Sequence, residues 1–278
     1  MTNSPILILL VSLAVLLGSI GVLWALAPMP KAMVDRFEQR QRLVVQPTVA
    51  TYVVSALLIT FRWRRAGLLL GLLLGMLWSL RSGSLTLSFL PGFLGWFAGA
   101  VIAQWRMGSL RQVGERRIAS LAPRNLRSYL TRFTEGAVAL AEGVTIVAAG
   151  LALARSGWSV EWFGWAAYAV LACAALVFTA HTIVARASGF TDPAMTEADD
   201  ALRTYGLAVI SGCAIAATYP AISGFALLAA YPDGVPFPVD PAWTLLVFLG
   251  CVWLGWFVAT RSRSVRAQAP AAAAEVAV

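Results

Sequence analysis

Residues 44–80 read VVQPTVATYVVSALLITFRWRRAGLLLGLLLGMLWSL, two apolar runs separated by Arg62, Trp63, Arg64 and Arg65. A guanidinium is costly at the centre of a bilayer, so the arginines mark an aqueous boundary. The runs on either side then read as two helices that cross in opposite directions. The first, 44–61, comes close to the about 20 apolar residues that a core ~30 Å thick requires. The second, 66–80, is short for a span, and a thin or re-entrant helix is its other reading.

The same criterion, carried outward, finds spans at 5–26, 85–105, 136–154, 162–184, 205–230 and 243–260. The chain therefore reads as an all-α polytopic transmembrane helix bundle of about eight spans, or seven if 66–80 does not cross. Its opening residues, MTNSPILILL, lack a basic n-region and an A-x-A-like exit, so they read as a retained first span rather than a signal peptide.

Composition agrees. The 278 residues are 59% hydrophobic and 12% charged, against roughly 45–50% and about 25% in soluble domains. The net charge of +8 is carried by short Arg clusters between apolar runs, with Lys31 the single lysine. Such clusters set topology and do not form a nucleic-acid surface.

With both termini cytoplasmic, the inner segments hold Arg62, Arg64, Arg65, the seven arginines from Arg106 to Arg132, Arg186, Arg203, Arg261, Arg263 and Arg266. The outer segments hold Lys31, Arg36, Arg40, Arg42, Arg81 and Arg155. This asymmetry favours an N-in, C-in arrangement in a cell (inner) membrane. Residues 30–43, PKAMVDRFEQRQRL, then fall on the periplasmic side. Met33, Phe37 and Val44 recur there at helical spacing, so the segment is an interfacial helix or a solvated loop. Trp24, Trp63, Trp105, Trp158, Trp162 and Trp243 stand near span ends, as headgroup anchors do.

A basic cytoplasmic segment, 107–133, separates a first four-span half, 1–106, from a second, 134–260, and 261–278 reads as a disordered tail. FLGWFAGAVIAQWR (93–106) is echoed by LGWFVATRSR (254–263), which a duplication of four-span units would explain. Arg106, Arg111, Arg116, Arg117, Arg124 and Arg127 are candidates for contact with anionic headgroups, and docking of a cytoplasmic protein partner is the second reading of that segment.

Helices in lipid associate through close approach at small residues. Gly67, Gly71 and Gly75 form consecutive GxxxG steps, and Gly95 and Gly99 form another. Gly136, Gly143 and Gly150 recur every seven residues along the fifth span, where they predict a packed seam flanked by Glu135 and Glu142.

The chemistry-bearing patterns are mostly missing. Lys31 is not in a GK[ST] loop, a single histidine excludes HExxH and multi-histidine metal sites, and no GxSxG occurs. Cys173, Cys213 and Cys251 are isolated small hydrophobes. No cofactor and no metal is implied. The acids of the loop 187–206, Asp192, Glu197, Asp199 and Asp200, read best as helix-start residues behind an N-cap at Thr196. A magnesium site of a lipid-modifying enzyme at 192–200 is the alternative.

Glu142 is the intramembrane carboxyl, and such a group is a functional candidate by default. His181 lies in the same leaflet on the next helix and is its candidate partner. Tyr219, beside the helix-breaking Pro220, completes a candidate substrate or proton path. Glu135 reads as a boundary residue paired with Arg132.

The stretches RQRLVVQPTVATYVVSALLITFRWRRAGLLLGLLLGMLWSL (40–80) and FLGWFAGAVIAQWR resemble uncharacterised multi-pass membrane proteins of high-GC actinobacteria. The resemblance implies an inner-membrane location and transfers no functional residue. The sequence thus points to a transporter-like or permease-like component, with a membrane scaffold or regulatory subunit and a lipid-modifying enzyme as the other readings. Its evident partner is a bilayer with anionic headgroups; the oligomeric state stays open.

Overall fold

The structure, a computed structural model, describes residues 21, 27–28, 30–43, 45–81, 90–108, 126–186, 190, 192–232 and 241–261. Among them are seven α-helices and no strand: α1 (Lys31–Gln41), α2 (Pro47–Arg81), α3 (Leu90–Met107), α4 (Arg132–Ser156), α5 (Val160–Ala185), α6 (Pro193–Ala230) and α7 (Pro241–Arg261). A short 3₁₀ turn, Leu126–Ser128, precedes α4. The expected first span at 5–26, apart from Gly21, and the tail 262–278 lie outside the described residues.

The two apolar runs at 44–80 are not two spans. They belong to one unbroken helix, α2, of 35 residues. Arg62, Arg64 and Arg65 lie mid-helix at a boundary the helix passes through. The runs on either side are apolar for different reasons. Before the arginines, Val53 (0% exposed), Ala56 (1%) and Leu57 (1%) are buried in a protein core with Phe37 of α1 and Met195, Ala198 and Leu202 of α6. After them, Leu70, Leu74, Leu77 and Trp78 are 56–74% exposed, as lipid-facing side chains are.

The position of 30–43 changes with this. It is helical, as one of its two readings has it, but it does not lie at the far end of the bundle from 187–206. Phe37 of α1 meets Tyr205 of α6 edge to face, with centroids 5.8 Å apart. The segment therefore lies at the same end as the start of α6 and the close of α7. Charge counting misplaced it because it assumed a crossing at 44–61, where the apolar residues cover protein instead of lipid.

Helix α6 is the axis of the bundle and contacts α2, α3, α4, α5 and α7. Its 38 residues extend about 57 Å, far more than the ~30 Å of a hydrocarbon core. The part from Tyr205 on already has the length of a span, and the polar stretch before it, with Asp199 and Arg203, is in excess of what a crossing needs. Three helices, α4, α5 and α6, are long and apolar enough to cross a membrane, and Leu246–Thr260 within α7 is a shorter apolar stretch. The described residues form an all-helical membrane protein.

Two glycine seams hold helix pairs at backbone contact. A Cβ on Gly67 would strike the Gly95 carbonyl, one on Gly71 the Pro91 carbonyl, and one on Gly99 the Trp63 carbonyl. Gly212 of α6 and Gly255 of α7 meet in the same way. The expected seam at Gly136, Gly143 and Gly150 is not formed, because a Cβ at any of the three would meet nothing within 4 Å. The packed face of α4 is the neighbouring stripe of Thr134, Ala137, Ala141, Thr145 and Ala152. Alanine is small enough for this approach to α6, so the glycines are left facing outward.

These two glycine classes predict opposite results. Gly67→Ala and Gly95→Ala each place a methyl against backbone and should cost about 1–3 kcal/mol, the usual penalty of overpacking. Gly143→Ala meets open space and should be neutral or gain up to about 1 kcal/mol of helix propensity. Thermal unfolding in detergent, followed by loss of the monodisperse peak, distinguishes them.

Candidate functional site

Glu142, the leading intramembrane candidate, sits on α4 beside the packed Ala141, half-buried where α4, α5 and α6 meet. Its surroundings are small: Ala169 and Ala172 of α5, and Ala214, Ala217, Thr218 and Ala221 of α6, with Thr145 a turn along α4. They enclose about 10 Å³, roughly the room one water needs. Both threonine hydroxyls are committed to their own helices, Thr145 to the Ala141 carbonyl at 2.8 Å and Thr218 to the Ile215 carbonyl at 2.7 Å.

The α6 wall of this chamber is the irregular one. Pro220 has no N–H for the carbonyl one turn back, so the ladder is interrupted between Ala216 and Pro220. Tyr168 of α5 donates its hydroxyl to the neighbouring Ala217 carbonyl at 2.8 Å. The break expected at Pro220 thus adjoins Glu142, through Ala217, Thr218 and Ala221.

The expected Glu142–His181 contact is not made. Glu142 faces α5 at Ala169 and Ala172. His181 is nine residues beyond Ala172, about 14 Å along the helix, and its side chain is exposed. The registry is fixed by Trp162, whose indole N–H donates to the Ala149 carbonyl at 3.0 Å. Tyr219 faces the other way, toward Phe248 of α7, with centroids 5.2 Å apart. The three residues of the expected path are in three different places. Glu135 lies in the first turn of α4 behind the Thr131 N-cap, where its charge favours the helix dipole, and among the described residues it is not ion-paired to Arg132.

The acids of 187–206 do not gather either. Asp192, not Thr196, is the N-cap of α6: its carboxylate accepts the Ala194 N–H at 2.9 Å, ahead of Pro193 at the first helical position. Glu197 is exposed, and Asp200 accepts the Tyr129 hydroxyl at 3.1 Å. Among the described residues no group of three His, Cys, Asp or Glu is placed to hold a metal ion.

Asp199 is the acid that matters to the fold. It lies two turns inside α6 rather than in its first turn, and it is 1% exposed. The Arg203 guanidinium, 0% exposed, donates to it through Nε at 2.9 Å and Nη2 at 2.8 Å. Arg186 donates at 2.7 Å and the Tyr52 hydroxyl at 2.9 Å. Arg203 also donates to the carbonyls of Ile183, Val184 and Arg186 at the end of α5. Those are the orphan carbonyls of a helix terminus, where a cation is favoured. Burial pushes the Asp199 carboxyl up, but the two guanidiniums and the hydroxyl prevail and hold it below its ordinary value of 3.8.

No family model matches this chain, and no curated protein and no solved structure matches it. Its sites stand on their own geometry.

The third feature is a cavity of about 410 Å³ at the α1 end, between α1, α2, α3, α6 and α7. Arg36, Arg40, Arg64 and Arg65 line it, together with Phe37, Phe61, Trp96, Tyr205 and Trp256. Sequence reasoning missed it, because it placed Arg36 and Arg40 on the opposite face from Arg64 and Arg65. Of the headgroup candidates, Arg106 lies 5.7 Å from the Trp63 ring and Arg127 is exposed, while Arg111, Arg116, Arg117 and Arg124 lie outside the described residues.

The Asp199 cluster is testable by its sign. Asp199→Asn leaves the buried Arg203 charge without its counter-charge and should cost about 3–5 kcal/mol. Tyr52→Phe loses one hydrogen bond to a charged group, about 1.5–3 kcal/mol. Because the folded Asp199 carboxyl is held below its ordinary value, its contribution is fully present above 3.8 and is lost as pH falls through the lower folded value. Acid unfolding of the wild type and of Asp199→Asn should therefore converge at low pH.

Proposed function

We propose that the chain is a non-catalytic, permease-like membrane component whose intramembrane working group is Glu142, handling a proton or a single small cation. The observation that carries the reading is the pairing of that carboxyl with a helix break, since Glu142 and the opened turn before Pro220 adjoin the same chamber. The chamber's volume limits the cargo. About 10 Å³ has room for a water or an ion of similar size, and none for an organic solute.

The α1 end is taken as the cytoplasmic face. Among the described residues, all basic residues except Arg81 and Arg155 belong to segments at that end. With 44–61 assigned to protein core, the chain between residue 30 and residue 107 crosses twice, on the later part of α2 and on α3.

A scaffold role is the second reading, and one observation favours it. Gly136, Gly143 and Gly150 present a smooth outward strip on α4 that none of the described helices covers. The lipid-modifying enzyme has no comparable support, since its four acids serve as a cap, an ion-cluster member, a hydroxyl acceptor and an exposed charge.

Proteoliposomes loaded with a pH-sensitive dye test the proton reading under an imposed pH gradient. Wild type should leak protons faster than empty liposomes, Glu142→Gln should lose at least about nine-tenths of that flux, and His181→Ala should keep it. A wild-type flux equal to that of empty liposomes defeats the proposal and leaves the scaffold reading, which copurification from native membranes then addresses.

A further inference from the structure

The basic cavity between α1 and the membrane helices is a built site. Four guanidiniums, of Arg36, Arg40, Arg64 and Arg65, border about 410 Å³, and neither Asp nor Glu is among the lining residues. Like charges so concentrated repel one another unless an anion sits among them. Two are held on aromatic faces: the Arg64 guanidinium lies 3.9 Å from the centre of the Trp96 ring and that of Arg65 3.5 Å from the centre of Phe61. Stacking fixes the plane of a guanidinium while leaving its edge able to donate.

Two buried polar atoms in the wall lack partners among the described residues. They are Nε of Arg64 and Oε1 of Gln41, whose side chain is only 6% exposed. Buried polar groups are normally satisfied, so orphaned ones at a cavity wall point to a ligand. The Gln41 amide can turn to offer its NH₂ to an anion.

The rest of the lining is mostly apolar. Met33, Leu57 and Phe61 belong to it, as do the two tryptophans of the LGWF repeats, Trp96 and Trp256. Trp256 is 58% exposed, which opens that side toward the surroundings of α7. A small soluble anion has no use for such a wall, whereas an acyl or prenyl chain does.

We propose that this cavity binds the headgroup of a membrane lipid bearing a phosphate monoester or two phosphates, with Arg36, Arg40 and Arg64 contacting the phosphate oxygens and Trp96 and Trp256 flanking the first part of the chain. The charge count selects the headgroup. The three arginines placed on the phosphate, in a lining without Asp or Glu, prefer about two negative charges over one. The inference is independent of Glu142, which lies in a different cavity.

The full chain in nanodiscs of phosphatidylcholine tests it, with retention of added lipid read by native mass spectrometry. Phosphatidic acid or cardiolipin should be retained at least about tenfold better than phosphatidylglycerol. Arg36→Gln with Arg40→Gln, both on α1 and away from the glycine seams, should lower that retention by about tenfold per arginine removed. Arg155→Gln, at the opposite end of the bundle, should change nothing. If Arg64→Gln proves unstable, Trp96→Phe, which weakens the stacking but keeps the core shape, should lower retention less. Equal retention of all three anionic lipids, or no effect of the α1 double substitution, overturns the proposal. Displacement of the lipid by millimolar inorganic phosphate, with no preference for the lipid form, shows the site to be one for soluble phosphate compounds and also overturns it.

Discussion

A guanidinium shut away from solvent must be ringed by acceptors, and at Arg203 that requirement organises a whole end of the molecule. Three carbonyls at the close of α5 and Oδ2 of Asp199 accept from it, and Oδ1 of the same carboxylate accepts from Arg186. Tyr52 then reaches the same carboxylate from α2. One buried cation therefore fixes the end of one helix, the interior of a second and the early part of a third. The apolar packing of Phe37, Val53, Leu57 and Leu202 is arranged around that junction. Burial of a charge of this kind adds little net stability and gives a single arrangement, because any alternative leaves a charge unpaired in an apolar setting.

Much of the architecture was legible in the sequence. Apolar runs found α4, α5, α6 and α7, and the GxxxG steps at Gly67, Gly71, Gly95 and Gly99 marked close-packing faces, which the structure shows meeting each other between α2 and α3. Two misreadings came from the same physics used too simply. Hydropathy reports that a surface avoids water, and it does not say whether lipid or protein covers it; residues 44–61 are covered by protein. Likewise Gly136, Gly143 and Gly150 suggested a seam, yet alanines and threonines one position away supply an adequate surface. The Asp199–Arg203 spacing of four residues was a visible local signal. The arrival of Tyr52, 147 positions earlier, was not, since no local rule relates residues so far apart. His181 was assigned to Glu142 by leaflet alone, and the helix registry decided otherwise.

The LGWF echo has a structural counterpart at the scale of hairpins. In α3 its glycine, Gly95, meets the Gly67 carbonyl of α2, and in α7 Gly255 meets the Gly212 carbonyl of α6. Both tryptophans that follow, Trp96 and Trp256, then turn into the same basic cavity. The glycine brings two backbones together, and the adjacent residue is thereby aimed at the space where the helices separate.

The continuity of α2 has a mechanical consequence. The glycine contacts with α3 grip the helix from Trp63 to Gly71, so the residues from Pro47 to Arg62 project from that clamp as a cantilever of about 24 Å. A stiff rod held at one end magnifies small tilts at its tip. Tyr52, near that tip, is fastened to Asp199, so the rod is supported at both ends. A change of tilt in the membrane portion must then either load that fastening or be carried across to α6.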